Sequence, residues 1–347
     1  MIFSIILFLL LGVSLLFNLG HLVEKITTLG GMQTRHTVGP RLEEAVLQDN
    51  DGSSKIAVIS VEGIITGRML DQSGYSMVDI IKAQLKRAGE DDKVKAVLLK
   101  VDSPGGEVLA SDDTAKAIDQ FQSSHKHNKP VIASMGSLAA SGGYYVSAPC
   151  RWIVANELTI TGSIGVIMST WNYRGLMDKV GVRPYTFKSG KFKDMLSGSR
   201  EPNDINPEEK QMVQKLINET YEKFKGVVEK GRGDALKLNK NEKREGQALV
   251  ADWKDYADGR VLSGREALSL GFVDQLGDFD DAVKEAADIA GIRGKPDLIE
   301  YRLHYDLGDF FRMFGKSESR GLKVDLGVEL PKLEAGRMYF LAPTYLY

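Results

Sequence analysis

The chain has 347 residues, with 45 Lys and Arg against 47 Asp and Glu, 27% charged and 43% hydrophobic, enough for one large domain or two ordinary ones. A formal charge of −2 and a pI near 6.3 leave no general basic surplus for gripping a phosphate backbone, which argues against a nucleic-acid binder. One cysteine, Cys150, excludes an intrachain disulfide, and no Cys/His spacing supports a structural zinc site.

Met1 to Val23 carries no Asp, Glu, Lys or Arg and is mostly Ile, Leu, Phe and Val. It reaches the roughly 20 residues a helix needs to cross a bilayer. Without a basic leading segment or a small-x-small cleavage site before Glu24, a retained transmembrane anchor over 1–23 is favoured over a cleaved signal peptide. Lys25, Arg35 and Arg41 follow the span, so the positive-inside rule by itself would hold the next domain in the cytoplasm, a bias that long domains override.

Residues 24–54 end in Gln48-Asp49-Asn50-Asp51-Gly52-Ser53-Ser54 and read as a polar linker. Then strands and helices alternate. Strands are expected at Ile56 to Val61, Ala96 to Val101, Val131 to Met135, Trp152 to Ala155 and Pro184 to Phe187. Helices are expected over Val78 to Ala88, from Glu107 to about Phe121, from near Ser141, and from Pro207 to Val228. That order predicts an α/β architecture with a mostly parallel sheet. The tail from Ala335 to Tyr347 is apolar and aromatic; an edge strand packed on its own domain is favoured over a ligand-like segment reaching a neighbouring site.

Three segments could carry chemistry. Asp102-Ser103-Pro104-Gly105-Gly106 follows a buried strand and precedes a helix; paired glycines there let the backbone turn sharply and leave N–H groups for an oxyanion, although such a motif also serves as an ordinary turn. Ser137-Leu138-Ala139-Ala140-Ser141-Gly142-Gly143-Tyr144-Tyr145 places a serine among small residues at a helix start, where it is either a nucleophile or an N-cap. No histidine of the five lies beside a serine motif, so a base must be a lysine or a carboxylate. Lys188, Lys191 and Lys193 offer themselves, or form a solvated basic loop. A lysine of ordinary pKa, about 10.4, is almost never neutral at pH 7, so a lysine base must be desolvated and its amine given hydrogen-bond partners.

These segments, with Thr161-Gly162-Ser163-Ile164-Gly165-Val166, Phe192-Lys193-Asp194, Gly259-Arg260-Val261-Leu262-Ser263-Gly264-Arg265-Glu266-Ala267 and Leu270-Gly271-Phe272-Val273-Asp274, resemble the signal peptide peptidase A (protease IV) family, in its order and over roughly 56–290. The resemblance implies the crotonase/Clp-protease type of fold, repeated strand-strand-helix units, in a catalytic domain of 55–290 followed by an extension over 291–347. It implies Ser141 as nucleophile, Lys193 as general base, Ser163 as the hydroxyl orienting the lysine amine, and Gly106 and Gly142 as oxyanion-hole donors. Lys191 and Lys188 are the fallback bases.

The chain resembles the short, single-unit form, whose dyads are completed between neighbours in a ring-like homo-oligomer. Also implied are a bacterial cytoplasmic-membrane location with an extracytoplasmic catalytic domain, extended hydrophobic substrates such as remnant signal peptides, and chemistry that requires no metal or organic cofactor. Two other classes compete: a crotonase-type acyl-CoA enzyme, which needs an acidic acid/base, and an inactive membrane-anchored peptide-binding scaffold.

Overall fold

The computed structural model describes residues 39–69, 74–124, 128–304 and 337–342, together with residues 8, 11, 12 and 14. Two compact units divide the chain after Gly39. In the first, residues 8, 11, 12 and 14 are helical. Most of the expected anchor lies outside the described residues, and no helix among the described residues is long and apolar enough to cross a membrane.

The second unit is mixed α/β, built on a nine-stranded sheet. Its strands are β1 (Leu42–Gln48), β2 (Lys55–Glu62), β3 (Val94–Ser103), β5 (Val131–Ala140), β6 (Trp152–Ala155), β7 (Ile160–Gly162), β9 (Val261–Ser263), β10 (Gln275–Leu276) and β11 (Asp297–Leu303). The main path runs β1-β11-β2-β3-β5-β6-β10, and β7 pairs with both β5 and β9. Every pairing is parallel except β1 with β11 and β7 with β9. A small second sheet orders β4 (Gly105–Glu107), β12 (Met338–Leu341) and β8 (Ile167–Met168).

Parallel strands covered on both faces read as continuous apolar runs, and β2 and β3 do. Ala57, Ile59, Val61, Val97, Leu99 and Val101 face one core; Ile56, Val58, Ala96 and Leu98 face the other. The first core is closed by helices α1 (Met77–Glu90), through Val78, Ile81 and Leu85, and α2 (Val108–Ser123), through Ala115, Ile118 and Phe121. The short helix α3 (Gly142–Ser147) is entirely buried in it. The remaining helices are α4 (Arg174–Lys179), α5 (Pro207–Asn241), α6 (Gly264–Ser269) and α7 (Phe279–Ile289); Ala282 and Ala286 of α7 cover the second core. Each fully buried Ile or Leu contributes about 1.5–3 kcal/mol. Cys150 is buried, and burial pushes its thiol up to about 12.

Several segments differ from the sequence-based expectation. The polar linker holds β1 and the C-terminal extension holds β11, so the sheet runs past 55–290 at both ends. The strand expected at Pro184 to Phe187 is irregular: Tyr185 and Phe187, its alternating apolar residues, are 87% and 96% exposed. Helix α5 continues past Val228 through glycines that ought to weaken it. Gly231 lies against another backbone, where a Cβ would stand 2.3 Å from the Ala148 carbonyl oxygen, and Arg232 forms a buried ion pair with Asp274. Tertiary packing overrides propensity there.

Candidate active site

Strand β5 ends at Ala140, and Ser141 turns the chain into α3 with φ +54° and ψ −115°, a conformation that L-residues rarely adopt. The turn is held by the Ser141 N–H, which donates to the Gly162 carbonyl at 2.8 Å, and by the Tyr145 N–H, which donates to the Ser141 carbonyl at 2.8 Å. The hydroxyl does not cap the helix. Ser141 is 1% exposed, and its Oγ has no hydrogen-bond partner. With no cap hydrogen bond the N-cap alternative is excluded, and the unpaired buried hydroxyl carries a cost of about 1–3 kcal/mol.

The two glycine motifs meet in front of this serine. Gly105 has φ +103°, and a Cβ on it would stand 2.6 Å from the Gly142 nitrogen. One on Gly142 would stand 3.0 Å from the Gly106 nitrogen and 2.7 Å from Ser111 Oγ. The Ser103 hydroxyl accepts from the Gly105 N–H at 3.1 Å and donates to the Gly63 carbonyl at 2.6 Å, which fixes the turn. Glycines are therefore required where the two backbones approach. Gly105→Ala is expected to lower peptide hydrolysis at least about 100-fold, measured as initial rate at equal protein, because the displaced backbone carries the candidate oxyanion donors.

Ser163 is brought to the same end of the sheet. Ala140 pairs with Gly162, Ser163 follows with φ +51°, and its N–H donates to the Arg260 carbonyl at 2.7 Å. Ser163 is 3% exposed. The lysines are not brought there. Lys193 is exposed within a run of turns and gives the partnerless Ser141 Oγ no hydrogen bond within this chain. Lys191 pairs with Glu208 at 2.7 Å and Lys188 with Asp194 at 2.7 Å, so both fallback bases are held by carboxylates. The surrounding segment exposes Trp171, Tyr173, Leu176, Val180, Val182, Tyr185 and Phe187.

Strand β12 crosses the site. It runs antiparallel to β4, Phe340 opposite Gly106 and Leu341 opposite Gly105, while Met338 and Tyr339 pair with β8 on its other side. The Ala342 N–H donates to the Pro104 carbonyl at 2.8 Å, and Arg337 pairs with Glu107 at 3.1 Å. The described part of the tail is thus a strand on its own domain, as expected, but it is the central strand of the small sheet rather than an edge strand, and it lies over the glycine motif.

Sequence reasoning singled out the serines and glycines, named Asp102 and Tyr145 within their motifs without giving either a role, and passed over Phe224. Asp102 Oδ1 accepts from the Leu138 N–H at 3.0 Å and shapes the approach to the serine turn. Tyr145 donates to Asp112 Oδ1 at 2.8 Å, and its ring meets those of Phe224 and Phe340. The place of Tyr145 was legible, since it stands one helical turn after Ser141. Phe224, 83 residues after Ser141 in sequence, gave no signal. Among the described residues, no group of three or more His, Cys, Asp or Glu is arranged to hold a metal.

A sequence profile of peptidase family S49 matches residues 123–293. A protein of Enterococcus faecium provisionally named signal peptide peptidase SppA is 37% identical over 261 residues, covering 74% of this chain and 70% of its own length. Provisionally named proteases of Methanocaldococcus jannaschii and Synechocystis sp. are 38% identical over 239 residues (69% of this chain, 68% of theirs) and 41% identical over 248 residues (71% and 77%). The chain belongs to peptidase family S49, with signal peptide peptidase relatives, and is a serine peptidase that hydrolyses peptide bonds.

Proposed function

We propose that this peptidase is a membrane-anchored Ser-Lys enzyme that degrades remnant signal peptides and similar extended hydrophobic segments. The observation that carries the reading is Ser141: a strained, buried seryl turn whose hydroxyl is bonded to nothing, set against two glycine motifs. Neutral Lys193, supplied by an adjacent copy in a ring-like homo-oligomer, takes the Ser141 proton as Oγ attacks the scissile carbonyl carbon. Ser163 orients the amine. The oxyanion is held by the N–H groups of Gly106 and Gly142, the C–N bond breaks as the lysine returns its proton to the leaving amine, and a water activated by the same lysine clears the acyl-enzyme.

The substrate class rests on the name of the Enterococcus relative, and β12, an extended segment paired with β4 beside the glycine motif, supports it. The domain layout proposed with it is an anchor over 1–23, a linker after it and a catalytic domain whose main sheet runs from Leu42 to Leu303, held outside the cytoplasm.

A serine-directed fluorophosphonate probe, followed by mapping of the modified peptide, tests the assignment. The adduct is expected on Ser141, with hydrolysis declining as pH falls because the base must be neutral to accept a proton. An adduct elsewhere, or a rate that stays flat into the acid range, overturns it.

A further inference from the structure

Asp194 follows Lys193 directly, a carboxylate placed where it could neutralise a lysine base, yet its side chain is engaged elsewhere. Lys188 Nζ donates to Asp194 Oδ1 at 2.7 Å and to the Lys191 carbonyl at 3.3 Å, so one amine grips the chain on both sides of Lys193. From the other direction, Arg200 Nη1 donates to the Asp194 carbonyl at 3.3 Å and stands 3.6 Å from Asp194 Oδ1. Lys191 is paired with Glu208. Among the described residues, Lys193 is the one of these three lysines without a carboxylate partner.

The arrangement is tied to the fold. Glu209, 2% exposed on the first turn of α5, accepts from Arg200 Nη1 at 3.0 Å with each carboxylate oxygen. A carboxylate that deeply buried is costly to leave unpaired, so Arg200 is held firmly and carries the position of α5 to Asp194. The other charged groups around Asp194 have their own partners or places: Arg174 pairs with Asp178 and Glu201, and Glu201 and Asp204 line the same cavity as Asp194. The hydrogen bond from Lys188 lowers the Asp194 carboxyl from its ordinary value; burial opposes that and the Arg200 charge adds to it. Asp194 is thus ionised, with its charge directed at cations other than Lys193. A general base must be neutral to take a proton. A carboxylate close to an amine favours the protonated form, and a neighbouring cation disfavours it.

We propose that Lys188, together with Arg200, is a positioning residue for the base: it holds the Asp194 carboxylate away from Lys193 and keeps a like charge in the same turn, so that the Lys193 amine is neutral when it meets a serine. The proposal rests on Lys193 as the general base. Lys188 and Arg200 act through Asp194 and do not touch the substrate.

The test follows kcat/KM against pH, using full-length protein in detergent and a blocked peptide without ionisable side chains, each variant normalised to its own alkaline plateau. The midpoint of the acid limb then reports the base and not the amount of folded enzyme. Lys188→Met is expected to raise that midpoint by about 0.5–1 unit, which lowers the normalised rate about three- to tenfold on its acid side. Lys188→Arg keeps a cation on Asp194 and should stay at the wild-type midpoint. Lys188→Met combined with Asp194→Asn should return to that midpoint or fall below it, and Asp194→Asn alone should lower it by removing the carboxylate beside the base. A midpoint unmoved by Lys188→Met, raised equally by Lys188→Arg, still raised in the double variant, or not lowered by Asp194→Asn overturns the proposal. Lys193→Ala run alongside separates the two ideas: hydrolysis that survives it removes the base assignment, whereas an unmoved midpoint in an enzyme that needs Lys193 removes only the role of Lys188.

Discussion

Protein carrying Ser141→Ala, inactive alone, mixed with protein carrying Lys193→Ala, also inactive alone, is expected to recover hydrolysis. Each single variant should lose at least about 1,000-fold, since removing either the nucleophile or its base disables the same step. In one chain Lys193 is exposed while the Ser141 hydroxyl lacks any partner. The nearby lysines are neutralised by Glu208 and Asp194, and an apolar set from Trp171 to Phe187 faces outward around them. A ring in which each serine meets its neighbour's lysine turns these observations into one arrangement. Random mixing then leaves about a quarter of the sites with both intact groups, and activity should return to that order. The measurement is hydrolysis after the variants exchange subunits, with exchange verified by co-purification of differently tagged copies. Mixed assemblies that stay inactive would place the base in the same chain as the nucleophile.

What the sequence revealed follows a physical division. Apolar runs such as Ile56 to Val61 and Ala96 to Val101 mark strands because burial on both faces demands them, and β2 and β3 formed there. The serine and glycine motifs were legible because short-range geometry restricts the residue type: only glycine fits where Gly105 and Gly142 approach one another. The expected strand at Pro184 to Phe187 failed because its apolar residues do not face this chain's own core. The cluster of aromatic rings beside Ser141 was invisible for a related reason. Tyr145, Phe224 and Phe340 come from three elements far apart in sequence, and each alone reads as an ordinary core residue.

Removal of the C-terminal strand, by ending the chain before Met338, is expected to raise kcat/KM toward added peptides about tenfold or more. Strand β12 occupies the edge of β4 that an extended substrate would need, and holds it with pairing on both sides, the Ala342–Pro104 hydrogen bond and the Phe340 ring stack. A tethered segment competes at an effective concentration in the millimolar range, so a peptide binds only the fraction of molecules whose tail has left. If that fraction is about a tenth or less, removal restores the difference as apparent affinity and leaves kcat nearly unchanged. Phe340→Ala keeps the backbone pairing and deletes the buried ring, and should give an intermediate rise. Thermal unfolding separates occupancy from architecture. A tail that only occupies the cleft can leave with a small drop in the unfolding midpoint and a gain in activity. If truncation instead lowers the midpoint sharply and abolishes hydrolysis, β12 is a wall of the cleft, and substrates must reach Ser141 by another edge.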